Sequence, residues 1–112
     1  AMLSYTSGTT SKPKGVLSTQ RNVVAAVNFS RIQAHGLPPG VVLIASPLFH
    51  VNGTHAGLFV SMSRGSKTVL MYKWEAGRAL QLIQAEKVTN LVGVPTNTYD
   101  LLNHPDFPNF DT

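Results

Sequence analysis

Short apolar runs alternate with helix-like segments along this chain, and the alternation restricts the fold more than any other feature. The clearest run covers residues 41–45 and follows a break at residues 36–40 that is rich in Gly and Pro. A continuous apolar run of this kind is typical of a strand buried on both faces of a parallel sheet. Strands that alternate with helices indicate the same architecture. We therefore predict an α/β fold, with a parallel sheet of about four strands and flanking helices.

The boundaries of the elements follow from the same pattern. Thr19 and Thr54 are expected to cap the amino ends of the first and second helices. Gly65 is expected to end the second helix. In a parallel sheet, ligands bind beyond the carboxyl ends of the strands. We therefore expect the loops after the first, second and last strands to share one edge. The predicted strands cover residues 3–6, 41–45, 67–71 and 89–94, an extended segment covers 16–18, and the predicted helices cover 20–35, 54–64, 76–87 and 96–103.

Residues 5–15 have the composition of a phosphate-binding loop. Gly8 and Gly15 allow the backbone to approach a ligand closely, while Lys12 and Lys14 supply positive charge. The spacing differs from the Gly-x-x-x-x-Gly-Lys-Ser/Thr motif of P-loop proteins. An exposed loop with solvated lysines, or a stand-alone phosphate-binding or interaction module without catalysis, has the same composition. The hydroxyl side chains that add neutral hydrogen bonds are Thr6, Ser7, Thr9 and Thr10.

A second candidate site covers residues 47–53 and contains His50. A lone His is usually a structural residue, but this one lies in a loop that follows a buried strand, on the expected ligand edge. His55 falls inside the predicted second helix, where a core or surface role is expected. A third segment, residues 86–96, contains a buried strand that ends at Pro95, and it is either plain core or part of the lining of a site.

The first segment closely resembles the signature loop of the adenylate-forming (AMP-binding) superfamily, Tyr-Thr-Ser-Gly-Thr-Thr-Gly-x-Pro-Lys-Gly-Val. This chain matches every fixed position except one, where Ser11 replaces Gly. Residues 47–53 resemble the superfamily's Pro-x-x-His-x-x-Gly signature, and residues 88–96 resemble its Val-Thr-x-x-x-x-Val-Pro-Thr segment. The resemblance extends along the whole chain. The surroundings of Trp74, and residues 107–112 within the tail (residues 104–112), are most similar to acyl-CoA synthetases.

The resemblance implies specific roles. Members activate a carboxylic acid with ATP to an acyl-adenylate and pyrophosphate, and a thiol, usually CoA, then displaces AMP. His50 would lie beside the reacting carboxylate, Val51 and Asn52 would line the acyl pocket, and Gly53 would leave room for the acyl group. Lys12 occupies a variable position and receives no role. The residues implied to hold the β- and γ-phosphates are Thr6, Ser7, Gly8, Thr9, Thr10 and Lys14, with Gly15 closing the loop.

Several parts of such an enzyme have no counterpart in this sequence. The Tyr-Gly-x-Thr-Glu motif, which supplies the Mg²⁺-binding Glu, and the Tyr-x-Thr-Gly-Asp motif, which supplies the ribose-binding Asp, are absent. The catalytic Lys of the C-terminal domain is absent too. No acidic residue here is an evident metal ligand, and we expect solvated charges at Glu75, Glu86, Asp100, Asp106 and Asp111. We therefore expect one fragment, residues 1–112, of a large N-terminal domain. It should be inactive without the remainder of the enzyme, and its uncovered apolar faces should favour self-association.

Composition excludes other classes of protein. The net charge is +4, but Lys and Arg are scattered and only 12% of residues are charged, so a nucleic-acid-binding domain is not expected. No apolar run is long enough to cross a membrane, and the start lacks the features of a signal peptide. The absence of Cys fits a reducing compartment. We expect a cytoplasmic protein, whose acyl substrate and thiol acceptor, CoA or a carrier protein, the sequence leaves open.

Overall fold

The structure is a computed structural model, and it describes residues 1–6, 12–33 and 36–112. The first two strands are β1 (Met2–Thr6) and β2 (Lys14–Ser18), followed by helix α1 (Gln20–Gln33) and strand β3 (Val41–Ile44). A π-helix (Asn52–Phe59) then runs directly into α2 (Val60–Arg64). The chain continues through β4 (Lys67–Leu70), α3 (Ala76–Glu86), β5 (Asn90–Val92), α4 (Pro95–Leu102) and a 3₁₀ turn (Phe107–Asn109).

The strands form a parallel sheet and a separate hairpin. β3 lies at the centre of the sheet, with β4 and β5 parallel to it on either side. β1 does not join this sheet, as predicted, but pairs antiparallel with β2. The short segment between Thr6 and Lys14 explains why β1 and β2 pair antiparallel, because a parallel crossover needs about a dozen residues or more. The predicted α/β architecture is confirmed, and its parallel sheet has three strands.

The core is built around β3, as its apolar run predicts. Leu43 is fully buried and packs against Ala79 and Leu80 of α3 and Leu101 of α4. Ile44 is directed to the opposite face, where its side chain lies against Gly57 of the π-helix. Because successive side chains of a strand point to opposite faces, β3 is covered on both sides. This buried strand fixes the position of the loop that follows it.

Outside the segment after β3, the described helix boundaries lie within one residue of those predicted, and the predicted end of the first helix at residues 34–35 lies outside the described residues. Thr19 caps α1, since the backbone N–H of Asn22 donates to its hydroxyl at 3.2 Å, and Gly65 ends α2 in the left-handed conformation with φ of 68°. Thr54 does not begin a helix, because helical structure already starts before it and its hydroxyl bonds the carbonyl oxygens of Leu48 and His50. The Thr54 hydroxyl therefore bonds to backbone that precedes it and does not cap a helix as predicted.

Many apolar side chains are exposed on this part of the protein. No residue of α1 is buried, and Phe29 and Ile32 of that helix are 62% and 71% exposed. Such surface is consistent with a partner that covers it. The expected self-association of the chain stays a prediction. Among the described residues, no helix combines the length and apolar character that crossing a bilayer requires.

Candidate active site

The hairpin sets the base of the predicted phosphate loop. Thr6 and Lys14 are directly opposite each other across β1 and β2, and both are exposed. Gly15 pairs with Tyr5, and a Cβ at Gly15 would lie 3.2 Å from the Leu3 side chain and 3.5 Å from the Tyr5 ring. The hairpin therefore holds a hydroxyl and an ammonium group at the two ends of one loop. The predicted phosphate ligands Ser7, Gly8, Thr9 and Thr10 lie outside the described residues, as does Ser11.

The His50 imidazole is fixed by its own loop. The backbone N–H of Asn52 donates to His50 Nδ1 at 3.2 Å, and the His50 N–H donates to the Pro47 carbonyl at 3.0 Å. A neutral imidazole has one donor and one acceptor nitrogen. Because Nδ1 accepts a hydrogen bond, the neutral ring carries its proton on Nε2. The exposed side chain thus offers an Nε2–H donor to a ligand such as a carboxylate.

Asn52 joins the loops that follow two neighbouring strands. Its side-chain Nδ2 donates to the hydroxyl of Ser46 at 2.9 Å and to the carbonyl of Gly93 at 3.1 Å. Ser46 follows β3 and Gly93 follows β5, so both loops lie at the carboxyl edge of the sheet. This confirms the prediction for two of the three loops. The third loop follows β1 of the hairpin, and its residues 7–11 lie outside the described residues.

Gly53 is needed for close packing of the backbone. A Cβ at this position would lie 2.3 Å from the carbonyl oxygen of Pro47 and 2.7 Å from that of Ser46. Real Cβ atoms are not found at such distances from a backbone atom, so the glycine permits the turn of the His50 loop. The space beside its Cα on that side is filled by the loop itself.

Replacing Gly53 by alanine is expected to lower the free energy of unfolding by about 1–3 kcal/mol, because the added methyl group must displace a backbone carbonyl. Calorimetric unfolding of the protein with and without the substitution measures this loss. Gly57→Ala is the matched control. The three atoms nearest to its Cβ would belong to the Ile44 side chain, the closest at 2.9 Å, so this variant meets a side chain where Gly53→Ala meets the backbone. Equal stability of Gly53→Ala and the unmodified protein would contradict this packing role.

A cavity of about 170 Å³ joins the hairpin to the His50 loop. It brings together three of the residues predicted from the sequence, Thr6, His50 and Val51. Lys14, Gly15, Asn52 and Gly53 do not line it, and the last two instead hold the loop in place. The described residues that line it are Met2, Ser4, Tyr5, Thr6, Val16, Ser18, Phe49, His50, Val51 and His55.

Sequence reasoning missed His55 as part of this site. Its side chain lines the cavity, and its Nε2 atom is buried without a hydrogen-bond partner in the described part of the protein. The ring packs on Phe59 with a centroid distance of 5.5 Å. The helical pattern alone gave no reason to place this residue at a cavity. Its nearness to His50 in the sequence was the available signal.

The third predicted segment runs from the amino end of the sheet to its carboxyl edge. Thr89 lies at the amino end, where its hydroxyl accepts a hydrogen bond from the Val41 N–H at 3.1 Å. Gly93 lies at the carboxyl edge and receives the Asn52 side chain. Thr89 is therefore a structural residue, and only the end of the segment is near the candidate site.

Acidic side chains read from the sequence as solvated charges have structural partners. Glu75 caps α3 by accepting hydrogen bonds from the N–H groups of Gly77 and Arg78, and Asp100 accepts one from the Trp74 indole at 2.9 Å. Glu86 and Asp111 form surface ion pairs with lysines. No group of His, Asp or Glu side chains among the described residues is arranged to hold a metal ion. These residues do not fit a Mg²⁺ site.

Comparison with known proteins identifies the family. The family model described as AMP-binding enzyme matches residues 1–112. The long-chain-fatty-acid–CoA ligase of Bacillus subtilis (strain 168) is 34% identical over 99% of this chain, and the sulfoacetate–CoA ligase of Cupriavidus necator (strain H16) is 42% identical over 94%. The chain spans about a fifth of the length of these relatives, 20% and 21%.

Solved structures agree with this. The o-succinylbenzoate CoA synthetase of Bacillus subtilis in complex with ATP and magnesium ion superimposes with a TM-score of 0.82 and 36% identity, over 93% of this chain and 22% of that one. The N-terminal domain of a Mycobacterium tuberculosis protein, FACL13, has a TM-score of 0.83 and 31% identity, over 97% of this chain and 27% of that one. The chain is therefore a fragment of an adenylate-forming N-terminal domain, and it belongs to the family of AMP-binding enzymes.

Proposed function

We propose that this chain is the part of an ATP-dependent acid–thiol ligase that holds the departing pyrophosphate and the reacting carboxylate. The cavity between the hairpin and the His50 loop supports the proposal, because Thr6, at the start of the proposed phosphate loop, lines it together with the His50 imidazole, which offers an Nε2–H donor. The relatives that are CoA ligases and the likeness to a synthetase bound to ATP support the same assignment.

The proposed reaction has two steps. A carboxylate oxygen attacks the α-phosphorus of ATP, the bond to the bridging oxygen breaks, and pyrophosphate leaves with that electron pair. The thiol of CoA then attacks the acyl carbon, and AMP leaves with the carboxylate oxygen that made the first bond. Carboxylates are poor acyl donors, and the adenylate supplies the leaving group. Most of the catalysis is then positioning and stabilisation of negative charge.

Each proposed role rests on a position in the fold. Lys14 stabilises the charge that develops on pyrophosphate, because its ammonium group lies on the hairpin strand that closes the loop. His50 orients the carboxylate through Nε2–H, with Val51 beside it in the cavity wall. Asn52 and Gly53 hold this loop against the sheet edge. The other groups proposed to hold the phosphates are Thr6, Ser7, Gly8, Thr9, Thr10 and Gly15.

The experiment is a product assay on the longer polypeptide of which this chain is a fragment. With ATP, Mg²⁺, CoA and a carboxylic acid, we expect AMP, pyrophosphate and an acyl thioester in equal amounts, and none of them when the acid is omitted. Replacing CoA by a carrier-protein thiol identifies the acceptor. The 112-residue chain alone should give no product. Failure of the longer polypeptide with every acid, combined with pyrophosphate binding by the chain alone, would favour a stand-alone phosphate-binding module. The cytoplasmic location also stays a prediction, which cell fractionation tests.

A further inference from the structure

We propose that Asn52 is a positioning residue for His50, and that through Asn52 the loop after β5 controls how fast the acid reacts. The inference rests on the proposed function, because it needs the carboxylate to lie beside His50. Two hydrogen bonds carry it, from the Asn52 side-chain Nδ2 to the Ser46 hydroxyl at 2.9 Å and to the Gly93 carbonyl at 3.1 Å. Residues 93–97 are not among the described residues that line the His50 cavity, so their influence on it would pass through Asn52.

Asn52 contacts the imidazole and the edge of the sheet at the same time. Its backbone N–H donates to His50 Nδ1 at 3.2 Å, while its side chain bonds to the loops after β3 and β5. A side-chain amide has two N–H hydrogens, and here each has an acceptor of its own. The side chain therefore fixes where the backbone N–H of the same residue lies relative to the sheet. Because the hydrogen bond at Nδ1 decides which ring nitrogen carries the proton, Asn52 also maintains the Nε2–H donor.

The Gly93 carbonyl is a rigid anchor for this side chain. On one side of it, the Val92 carbonyl accepts a hydrogen bond from the Ala45 N–H at 2.9 Å. On the other side, the Val94 N–H donates to the Asn97 side-chain oxygen at 2.8 Å. Asn97 is only 7% exposed, and a Cβ at residue 93 would lie 2.5 Å from its oxygen, so a larger residue there would displace it. The peptide that presents the carbonyl is thus held on both sides.

A rigid support of this kind matters because the reaction depends on placement. Misplacing a group by about 1 Å can lower a rate by about a hundredfold, even when the substituted residue does not touch the substrate. Loss of the Asn52 side-chain bonds frees the loop from the edge of the sheet and the His50 ring from its fixed tautomer. We expect this to reduce kcat/KM for the acid, while the KM for ATP, whose phosphates are assigned to the other loop, changes little.

The first test is Asn52→Asp in the longer polypeptide. Aspartate has nearly the shape of asparagine, but its carboxylate has no N–H to donate to the Gly93 carbonyl. The kcat/KM for the acid, measured by pyrophosphate release, should fall by about ten- to a hundredfold, and the KM for ATP should stay within about twofold. Asn103→Asp is the matched control, since its Nδ2 also donates to a backbone carbonyl, that of Tyr99 at 2.8 Å. This control should leave both constants unchanged.

A pair of substitutions at Asn97 tests the coupling from the other side of the anchor. Asn97→Ala removes the oxygen that holds the Val94 N–H, and it should lower kcat/KM for the acid by about three- to tenfold. Asn97→Asp keeps an acceptor oxygen in that place and should retain most of the activity. Thermal unfolding of each variant shows whether it folds. If Asn52→Asp does not fold, this pair decides.

A double-mutant cycle shows whether Asn52 acts through His50. In a His50→Ala background, Asn52→Asp should lower kcat/KM for the acid by no more than about twofold further, because the ring that Asn52 positions is already gone. A second measurement needs no turnover. At a pH where the ring is neutral, ¹⁵N NMR of the His50 imidazole should show the Nε2–H tautomer in the unmodified protein and a mixture of tautomers in Asn52→Ala.

Three results would overturn the inference. One is an Asn52→Asp variant whose kcat/KM for the acid is unchanged, or falls by the same factor in the His50→Ala background, which would mean that Asn52 meets the acid directly. Another is a folded Asn97→Ala variant with the full activity of the unmodified protein. The third is an unchanged His50 tautomer in Asn52→Ala. If the unmodified protein released no pyrophosphate with any acid, the proposed function would be wrong, and the NMR comparison would still decide the positioning role.

Discussion

Replacing Lys14 by alanine in the longer polypeptide is expected to lower kcat for pyrophosphate formation by about 10²–10³-fold, while the affinity for the acid changes little. A cation that meets charge developing in the transition state acts mainly on the chemical step, and removal of one such donor has effects of this size. Lys14 is suited to this role because it begins β2 directly opposite Thr6. The measurement is steady-state pyrophosphate release at saturating acid, together with a direct titration of acid binding.

The matched control for this prediction is Lys12→Ala. Lys12 is an exposed lysine of the same segment and carries the same charge, but it precedes β2 and occupies a variable position of the signature. We expect this variant to retain most of the activity. If both variants lost activity equally, the effect would be the general positive potential of the segment. If Lys14→Ala kept kcat within about twofold, a difference of less than 0.5 kcal/mol in the barrier, the proposed phosphate role would be wrong.

Replacing His50 by alanine is expected to act on the other substrate. We predict a fall of about 10²-fold in kcat/KM for the acid, because the carboxylate loses the donor that orients it for attack and small misplacements of a nucleophile have effects of this order. The KM for ATP should change little. Initial rates measured over a grid of acid and ATP concentrations separate the two effects.

The tautomer of His50 suggests a sharper comparison for the same site. Gln carries an N–H donor near the position of the imidazole Nε2, whereas Asn carries one near Nδ1, which in this structure accepts from the Asn52 N–H. His50→Gln should therefore retain more activity than His50→Asn. The reverse order would mean that Nδ1, rather than Nε2, is the atom that serves the substrate.

Much of the fold could be predicted because its strongest signals are local. The apolar run at residues 41–45 predicts the buried central strand, and β3 is that strand. Gly65 ends a helix because its left-handed conformation suits glycine, and Thr19 caps one through its hydroxyl. Each of these depends on a few neighbouring residues, and such signals survive in a sequence without its three-dimensional context.

The errors arise where distant segments compete. β1 has the composition of a strand in either kind of sheet, and only the length of its connection to β2 indicates a hairpin. The π-helix after His50 has no established sequence pattern, so the start of this helical segment was placed too late. The error at Glu75 is a local one. It was expected to be a solvated charge, yet both its carboxylate oxygens accept hydrogen bonds from N–H groups of α3.

The candidate site could be predicted only in part. The resemblance to the signatures singles out individual side chains, and three of them, Thr6, His50 and Val51, line the cavity. Asn52 and Gly53 were expected to shape the acyl pocket, but their contacts are with the loops after β3 and β5, which a sequence pattern does not reveal. His55 depends on a cavity that exists only when the hairpin and the π-helix come together.

The most direct test of the central claim follows oxygen from the acid. The longer polypeptide is supplied with ATP, Mg²⁺, CoA and a carboxylic acid labelled with ¹⁸O in its carboxylate, and the products are analysed by mass spectrometry. Attack of the carboxylate on the α-phosphorus predicts one ¹⁸O atom in AMP and none in pyrophosphate. Unlabelled AMP, or label in pyrophosphate or inorganic phosphate, would mean that the acid is not activated as an adenylate and would contradict the account.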